Sequence, residues 1–186
     1  MAKLKLPQPK IGQEFSYELK IPEERVGVLI GEKGAIKKEI EKLTKTQLNI
    51  SKEGDVTIAG TNALLLYTAQ DIVKAIARGF NPKKALLLLK TDYTLEILDL
   101  KDVAGKSKNT LIRLRSRIIG KEGKARREIE RLTNTYLSVF GKTIAIIGQT
   151  ADVFTARQAI SMLLQGSMHK TAFQFLEKKN KEMSLH

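Results

Sequence analysis

The chain contains no cysteine and no tryptophan, only two histidines and four prolines, and aromatic residues make up 5% of its 186 positions. Without cysteine there is no disulfide, no thiolate metal site and no cysteine nucleophile. Two histidines, His169 and His186, both near the C-terminus and with no carboxylate cluster beside them, starve metal chemistry of ligands, so neither a metal nor another cofactor is expected. Long apolar runs are also missing. The longest, Ala85–Leu89, is far below the roughly 20 residues that cross a bilayer. The stretch Met1–Lys10 carries lysines but no apolar segment of a secretion signal, so a cytoplasmic protein is expected.

Charge of one sign is what the chain does have. Lys and Arg number 33 against 20 Asp and Glu, a net of +13. A balance this basic favours a polyanion such as nucleic acid or an acidic membrane face. Residues 1–80 carry 13 basic and 10 acidic groups, residues 81–186 carry 20 and 10, and Lys106–Arg131 holds ten basic residues against three acidic ones. A surface rich in both Lys and Glu would explain abundant charge, but not an excess of one sign.

A repeat organises the chain. Ile30-Gly31-Glu32-Lys33-Gly34 returns 89 residues later as Ile119-Gly120-Lys121-Glu122-Gly123, and ten identities fall in one ungapped register across positions 28–51. Lys37, Lys38 and Lys42 become Arg126, Arg127 and Arg131, which keeps the charge where identity is lost. Hydrophobic periodicity predicts the same element order in both copies, β-α-α-β-β-α. In the first, Glu14–Ile21 alternates as a strand and a helix runs from Pro22 to Ile30. A second helix carries Ile36, Ile40 and Leu43 on one face, Thr46–Ile50 and Val56–Ala59 form a hairpin, and a helix capped by Asn62 runs to Arg78. In the second, the corresponding segments are Thr94–Leu100, Lys108–Ile119, Lys124–Thr133, Thr135–Val139, Thr143–Ile147 and Thr150–Gln165. The fold class is therefore α+β: two modules, each a three-stranded antiparallel sheet packed on helices. The division is a tail at 1–13, a first module at 14–80, a helical linker at 81–93, a second module at 94–167 and a C-terminal helix and tail at 168–186. The leucines of the linker are expected to pack between the modules and stiffen the connection.

The chemically loaded feature is the Gly-x-x-Gly loop between two helices. Absence of Cβ lets a phosphodiester backbone lie against the main chain, and the helix that follows presents unpaired N–H groups to it. One such loop is weak evidence; here it occurs twice, at the same place in the same order, in a basic chain. The cores VLIGEKGAIKKEIEKLTKTQLNIS and RLRSRIIGKEGKARREIERLTNTYLSVF resemble the K homology (KH) family of RNA-binding modules, in the arrangement with the extra strand and helix after the core (type I). The tandem, over about residues 14–182, is similar to the partner-of-Nob family of ribosomal-RNA processing factors, in an archaeal-type length.

That resemblance implies a non-catalytic protein that binds single-stranded RNA at the 3′ end of small-subunit rRNA during subunit maturation. It also implies work beside the Nob-type endonuclease and other small-subunit assembly or translation proteins. The expected RNA-binding residues are Val26, Gly27, Ile30, Gly31, Glu32, Lys33, Gly34, Lys37 and Lys38 in the first module. In the second they are Arg113, Arg115, Arg117, Ile119, Gly120, Lys121, Glu122, Gly123, Lys124, Arg126 and Arg127. Each clamp reaches about four nucleotides, and the second should be electrostatically stronger. Lys37 and Arg126 stand where KH cores usually carry an aliphatic residue, which makes a more basic groove.

Leu48, Ile50, Leu137 and Val139 read as core, with Gln47 and Tyr136 on the other face and Tyr136 able to stack on a base. His169 reads as a surface helix residue. Glu39, Glu41, Glu128 and Glu130 fit helix-surface ion pairs to Lys38, Lys42, Arg127 and Arg131 rather than a nuclease centre. Gly105-Lys106-Ser107 ends like a nucleotide-binding loop, but Leu100 stands where that loop needs glycine. The alternatives left open are a general KH-type binder of RNA or single-stranded DNA, such as a translational regulator, and a protein-docking scaffold.

Overall fold

A computed structural model describes residues 15–183; the expected N-terminal tail, the first residue of the expected first strand and the last residues of the C-terminal tail lie outside the described residues. The first repeat runs β1 (Phe15–Lys20), α1 (Glu23–Ile30), α2 (Ala35–Thr44), β2 (Gln47–Ile50), β3 (Asp55–Gly60) and α3 (Ala63–Ala77). After it come α4 (Pro82–Ala85) and a single 3-10 turn at Leu86–Leu89. The second repeat is β4 (Tyr93–Asp99), α5 (Lys101–Ala104), α6 (Lys108–Ile119), α7 (Lys124–Thr133), β5 (Tyr136–Phe140), β6 (Thr143–Gln149) and α8 (Thr150–Leu164), with α9 (His169–Met183) added at the end. The four-residue α5 has no counterpart in the first repeat, and periodicity does not predict it. The chain divides into two compact units, residues 1–70 and 71–186, with the division inside α3.

Each sheet is antiparallel with its last strand in the middle, β1-β3-β2 and β4-β6-β5. Ile58 faces both Tyr17 and Leu48 across the first sheet, as Ala145 faces Ile97 and Ser138 across the second. Local chemistry sets the helix starts. Asn62 Oδ1 accepts from the Leu64 and Leu65 amides at 3.0 and 3.1 Å, and Ser107 Oγ accepts from Thr110 N at 3.2 Å. Asn81 caps α4 ahead of Pro82, whose fixed φ suits the first turn.

Alternation puts Val56 and Ile58 of β3 in the core and leaves Thr57 and Ala59 half-buried, whereas β6 is buried without a break from Thr143 to Gly148. The difference lies in what covers the sheet: β6 meets both α8 and the Leu86–Leu89 turn, and a strand covered on both faces reads as a continuous apolar run. The core of the second unit joins Leu114, Ile118, Ile129, Leu137, Ile146 and Ile160 with Ala172 and Leu176 of α9. Each leucine or isoleucine among them contributes on the order of 1.5–3 kcal/mol by leaving water. Leu48 and Leu137 are buried as expected, with Ile50 and Val139 half-buried.

The repeat also carries a matched polar lock. Thr44 Oγ1 donates to Ile40 O at 2.7 Å and lies 2.8 Å from Thr46 Oγ1; Thr133, Ile129 and Thr135 reproduce both distances. Glu41 Oε1 accepts the Leu48 amide at 2.8 Å, and Glu130 Oε1 accepts that of Leu137 at 2.8 Å. These glutamates therefore do more than the expected surface pairing. They cap the N–H of a strand, and their cations are Lys37 at 3.9 Å and Arg126 at 3.6 Å, each four residues before its glutamate, in place of the expected Lys38 or Lys42 and Arg127 or Arg131.

Candidate nucleic-acid interface

In both modules the loop between the paired helices has the same backbone. Gly31 (φ 74°, ψ 176°) ends α1 and Gly34 (φ 78°, ψ 17°) precedes α2; Gly120 (φ 72°, ψ 175°) and Gly123 (φ 76°, ψ 13°) repeat the pair. The two glycines have different duties. A Cβ on Gly31 would lie 2.4 Å from Ile36 Cγ1, and one on Gly120 would lie 2.7 Å from Ala125 Cβ, so the first glycine is required by packing inside the protein. A Cβ on Gly34 would meet nothing within 4 Å, and on Gly123 only the end of the Arg127 side chain at 3.2 Å. The second glycine keeps an outward face clear, which is where a phosphate backbone can approach.

Behind each loop a ten-residue helix starts, so its first-turn N–H groups and partial positive charge point the same way. Glu32 and Lys33 are exposed in the first loop, Lys121 and Glu122 in the second. Around the first, Val26, Ile30 and Lys37 are half-buried, while Gly27 and Lys38 are exposed. Around the second, Arg113, Lys124 and Arg127 are exposed, and Arg115, Ile119 and Arg126 half-buried. The Nε atoms of Arg115 and Arg126 are buried without a hydrogen-bond partner, and Arg126 Nε is 3.6 Å from Glu130 Oε2, beyond hydrogen-bond reach. Both atoms are too buried to meet a partner from outside, so the cations that face outward around the second loop are Arg113, Lys121, Lys124 and Arg127.

Arg117 does not join them. Its Nε donates to Leu163 O at 2.9 Å and its Nη2 donates to Ser167 O, at the C-terminal end of α8. A cation there adds a donor to Leu163 O, which also accepts the Gly166 amide at 3.1 Å, and complements the negative end of the helix. His169 is correspondingly not a plain surface residue: it is half-buried, and its Nε2 lies 2.8 Å from the Arg117 carbonyl. We expect Arg117→Leu to lower stability by about 1–2 kcal/mol, read by urea unfolding, because Ser167 O and Leu163 O lose the guanidinium donors. The salt dependence of RNA binding should stay unchanged; a lower slope would place Arg117 on phosphate after all.

Tyr136 is half-buried with the Lys84 ammonium 4.4 Å from its ring centre, so that face already holds a cation. Glu128 takes two bonds from Arg131, at 3.1 and 2.6 Å, and the Arg131 hydrogen bond holds its carboxyl below the usual range. Sequence reasoning missed the ring of Phe173 beside His169, centroids 6.0 Å apart, because α9 shows only a weak pattern. Among the described residues no group of three or more His, Asp or Glu is placed to hold a metal, and no helix is long and apolar enough to cross a membrane.

Comparison with known proteins agrees with this geometry. Residues 94–181 match a eukaryotic-type (type I) KH domain, the profile being that of the second KH domain of PNO1, and residues 16–74 match the general KH domain. A KH domain-containing protein of Methanocaldococcus jannaschii is 49% identical over 93% of this chain and 78% of its own length. The Dictyostelium discoideum RNA-binding protein pno1 is 32% identical over 68% of this chain, which spans only 51% of that relative. Among solved structures, Dim2p of Pyrococcus horikoshii is 43% identical with a TM-score of 0.82, over 88% of this chain and 99% of that one. The same protein in a complex named for a/eIF2alpha, aDim2p and rRNA is 43% identical with a TM-score of 0.84, over 91% and 96%. Two KH domains in one chain, the second of the PNO1 kind, mean that this chain belongs to the tandem KH-domain family that includes the PNO1 and Dim2 proteins.

Proposed function

We propose that the chain binds single-stranded ribosomal RNA during maturation of the small subunit, gripping the region of the rRNA 3′ end with its two glycine loops and carrying out no chemistry itself. The observation that carries this reading is the pair of loops with one backbone conformation. In each, a glycine whose outward side meets no backbone, and at most the end of the Arg127 side chain, stands at the start of a ten-residue helix beside an exposed lysine. Relatives named as pre-rRNA-processing proteins, and one solved with rRNA, support the choice of RNA.

The residues that do the work are Gly31 to Gly34 with Val26, Gly27, Ile30, Lys37 and Lys38, and Gly120 to Gly123 with Arg113, Arg115, Ile119, Lys124, Arg126 and Arg127. Phosphates lie on the loop amides and cations, and bases turn toward the apolar residues of α1 and α6. Each clamp takes about four nucleotides, and carrying two in one chain raises affinity through effective concentration. The protein acts in the cytoplasm, beside a Nob-type endonuclease and other assembly proteins. Fluorescence anisotropy tests this: a labelled strand with the mature 3′ end of small-subunit rRNA should bind more tightly than a scrambled strand, a DNA copy or a duplex. Equal affinity for every single strand would remove the ribosomal assignment, and no binding would favour a protein scaffold.

A further inference from the structure

Helical spacing divides the side chains of α7 between two sides. Glu130 reaches β5, where it accepts the Leu137 amide, and Arg126 lies one turn before it on the same side. Lys124, Glu128 and Arg131 fall roughly a third to half a turn away, and Arg127 lies on the flank between the two sides, its guanidinium beside Gly123. The side of Lys124, Glu128 and Arg131 faces α9, and the two helices enclose a groove of about 570 Å³ that opens beside Gly120 and Lys121. Its size lies within the roughly 300–1,000 Å³ of sites that hold small ligands.

The groove has two unlike walls. One is cationic: Lys121, Lys124 and Arg127 are exposed, and none of them has an ion-pair partner among the described residues. Arg131, by contrast, is taken by Glu128. The other wall is aromatic, with the His169 and Phe173 rings tilted at 50° to each other. This wall is held in place. His169 is bonded to the Arg117 carbonyl, and Ala172 and Leu176, on the buried face of α9, are 0% and 1% exposed. Ammonium and guanidinium groups opposite a fixed ring are what a nucleotide needs: cations for its phosphate, a π-face for its base. Among the described residues the first repeat has no helix in the place of α9. Leu43 there is 44% exposed, whereas its counterpart Leu132 is 8% exposed and belongs to the core cluster with Ala172 and Leu176.

We infer that the groove between α7 and α9 takes one nucleotide of the single strand lying on the second glycine loop, its phosphate on Lys124 and Arg127 and its base against Phe173. This rests on the RNA-binding reading above and extends the loop's clamp, to which Lys124 and Arg127 already belong, round α7 to an added base position on the aromatic wall of α9. A neighbouring depression that also has His169 in its wall carries the trough on toward exposed Arg113.

The test uses the full chain and a twelve-nucleotide strand with 4-thiouridine placed at one position after another. After irradiation, one position outside the four on the loop should cross-link to the peptide holding His169 and Phe173. Phe173→Leu, which keeps an apolar side chain but removes the ring, should weaken the twelve-nucleotide strand about tenfold and leave a four-nucleotide strand unchanged. Cross-links to the 120–123 loop from some positions but to α9 from none would overturn the inference while sparing the RNA reading, and would leave the groove to another kind of ligand. Absence of binding by every strand would sink both.

Discussion

Alanine at Gly31 or Gly120 is expected to cost about 3–5 kcal/mol of stability, whereas alanine at Gly34 costs only about 1 kcal/mol yet weakens RNA binding severely. The first glycine sits at φ 74° with ψ near 180°, a region essentially closed to residues with a Cβ. The added methyl would also drive into Ile36 Cγ1 at 2.4 Å and into the Ile36 backbone nitrogen at 2.9 Å. At Gly120 the obstacles are Ala125 Cβ and its backbone nitrogen, at 2.7 and 2.8 Å. Backbone nitrogen cannot swing aside as a side chain can, so each module must reshape its helix corner or unfold. Gly34 is only left-handed, at ψ 17°, with open space where its Cβ would be, so strain is the whole structural cost. The same methyl would stand between the loop and a phosphate. Amide hydrogen exchange of each module, run beside anisotropy with the RNA strand, separates the two effects. Equal destabilisation at Gly31 and Gly34 would show that the outward face has no separate duty.

Reversal of the loop charges should be unequal. Lys121→Asp is expected to weaken the authentic strand about thirtyfold or more, Lys33→Asp by less than tenfold, and the two together by over a hundredfold. Around the second loop Lys121 is joined by exposed Arg113, Lys124 and Arg127. Around the first, the positions matching Arg113 and Lys124 are Glu24 and Ala35. Removing one cation from a phosphate should also lower the salt slope by about 0.7 for a single strand. Titrations over a range of salt concentrations check both the size and the slope. Equal weakening at the two lysines, or a slope that does not move, would mean that the second module is not the stronger clamp.

Most of the architecture is legible in the sequence because the chain carries its own control: a boundary read in one repeat has to reappear in the other. Lys108–Ile119 and Lys124–Thr133 are the segments that periodicity predicts, and α6 and α7 begin and end at those residues. The glycine loops are legible for the same reason. Less visible is the division of labour within each glycine pair, because nothing in the letters says that Ile36 or Ala125 comes back against the first of them. Glu41 and Glu130 read as surface ion-pair residues, since the strand amides they cap lie seven residues on, across a turn.

The sequence by itself determined the duplicated α+β plan, the excess positive charge of the second repeat and the two loops. Those properties are written in short-range periodicity, in composition and in glycine at fixed spacing. Only the tertiary structure decided which cations face outward and which are consumed. Arg117 meets Leu163 and Ser167 across 46 and 50 residues of chain, and His169 meets the Arg117 carbonyl across 52. A charge reads the same in sequence whether its donors point to solvent or to a helix end. The groove beside α9 exists for a like reason, because it required a weakly patterned helix to fold back onto α7 and set two rings opposite a row of cations.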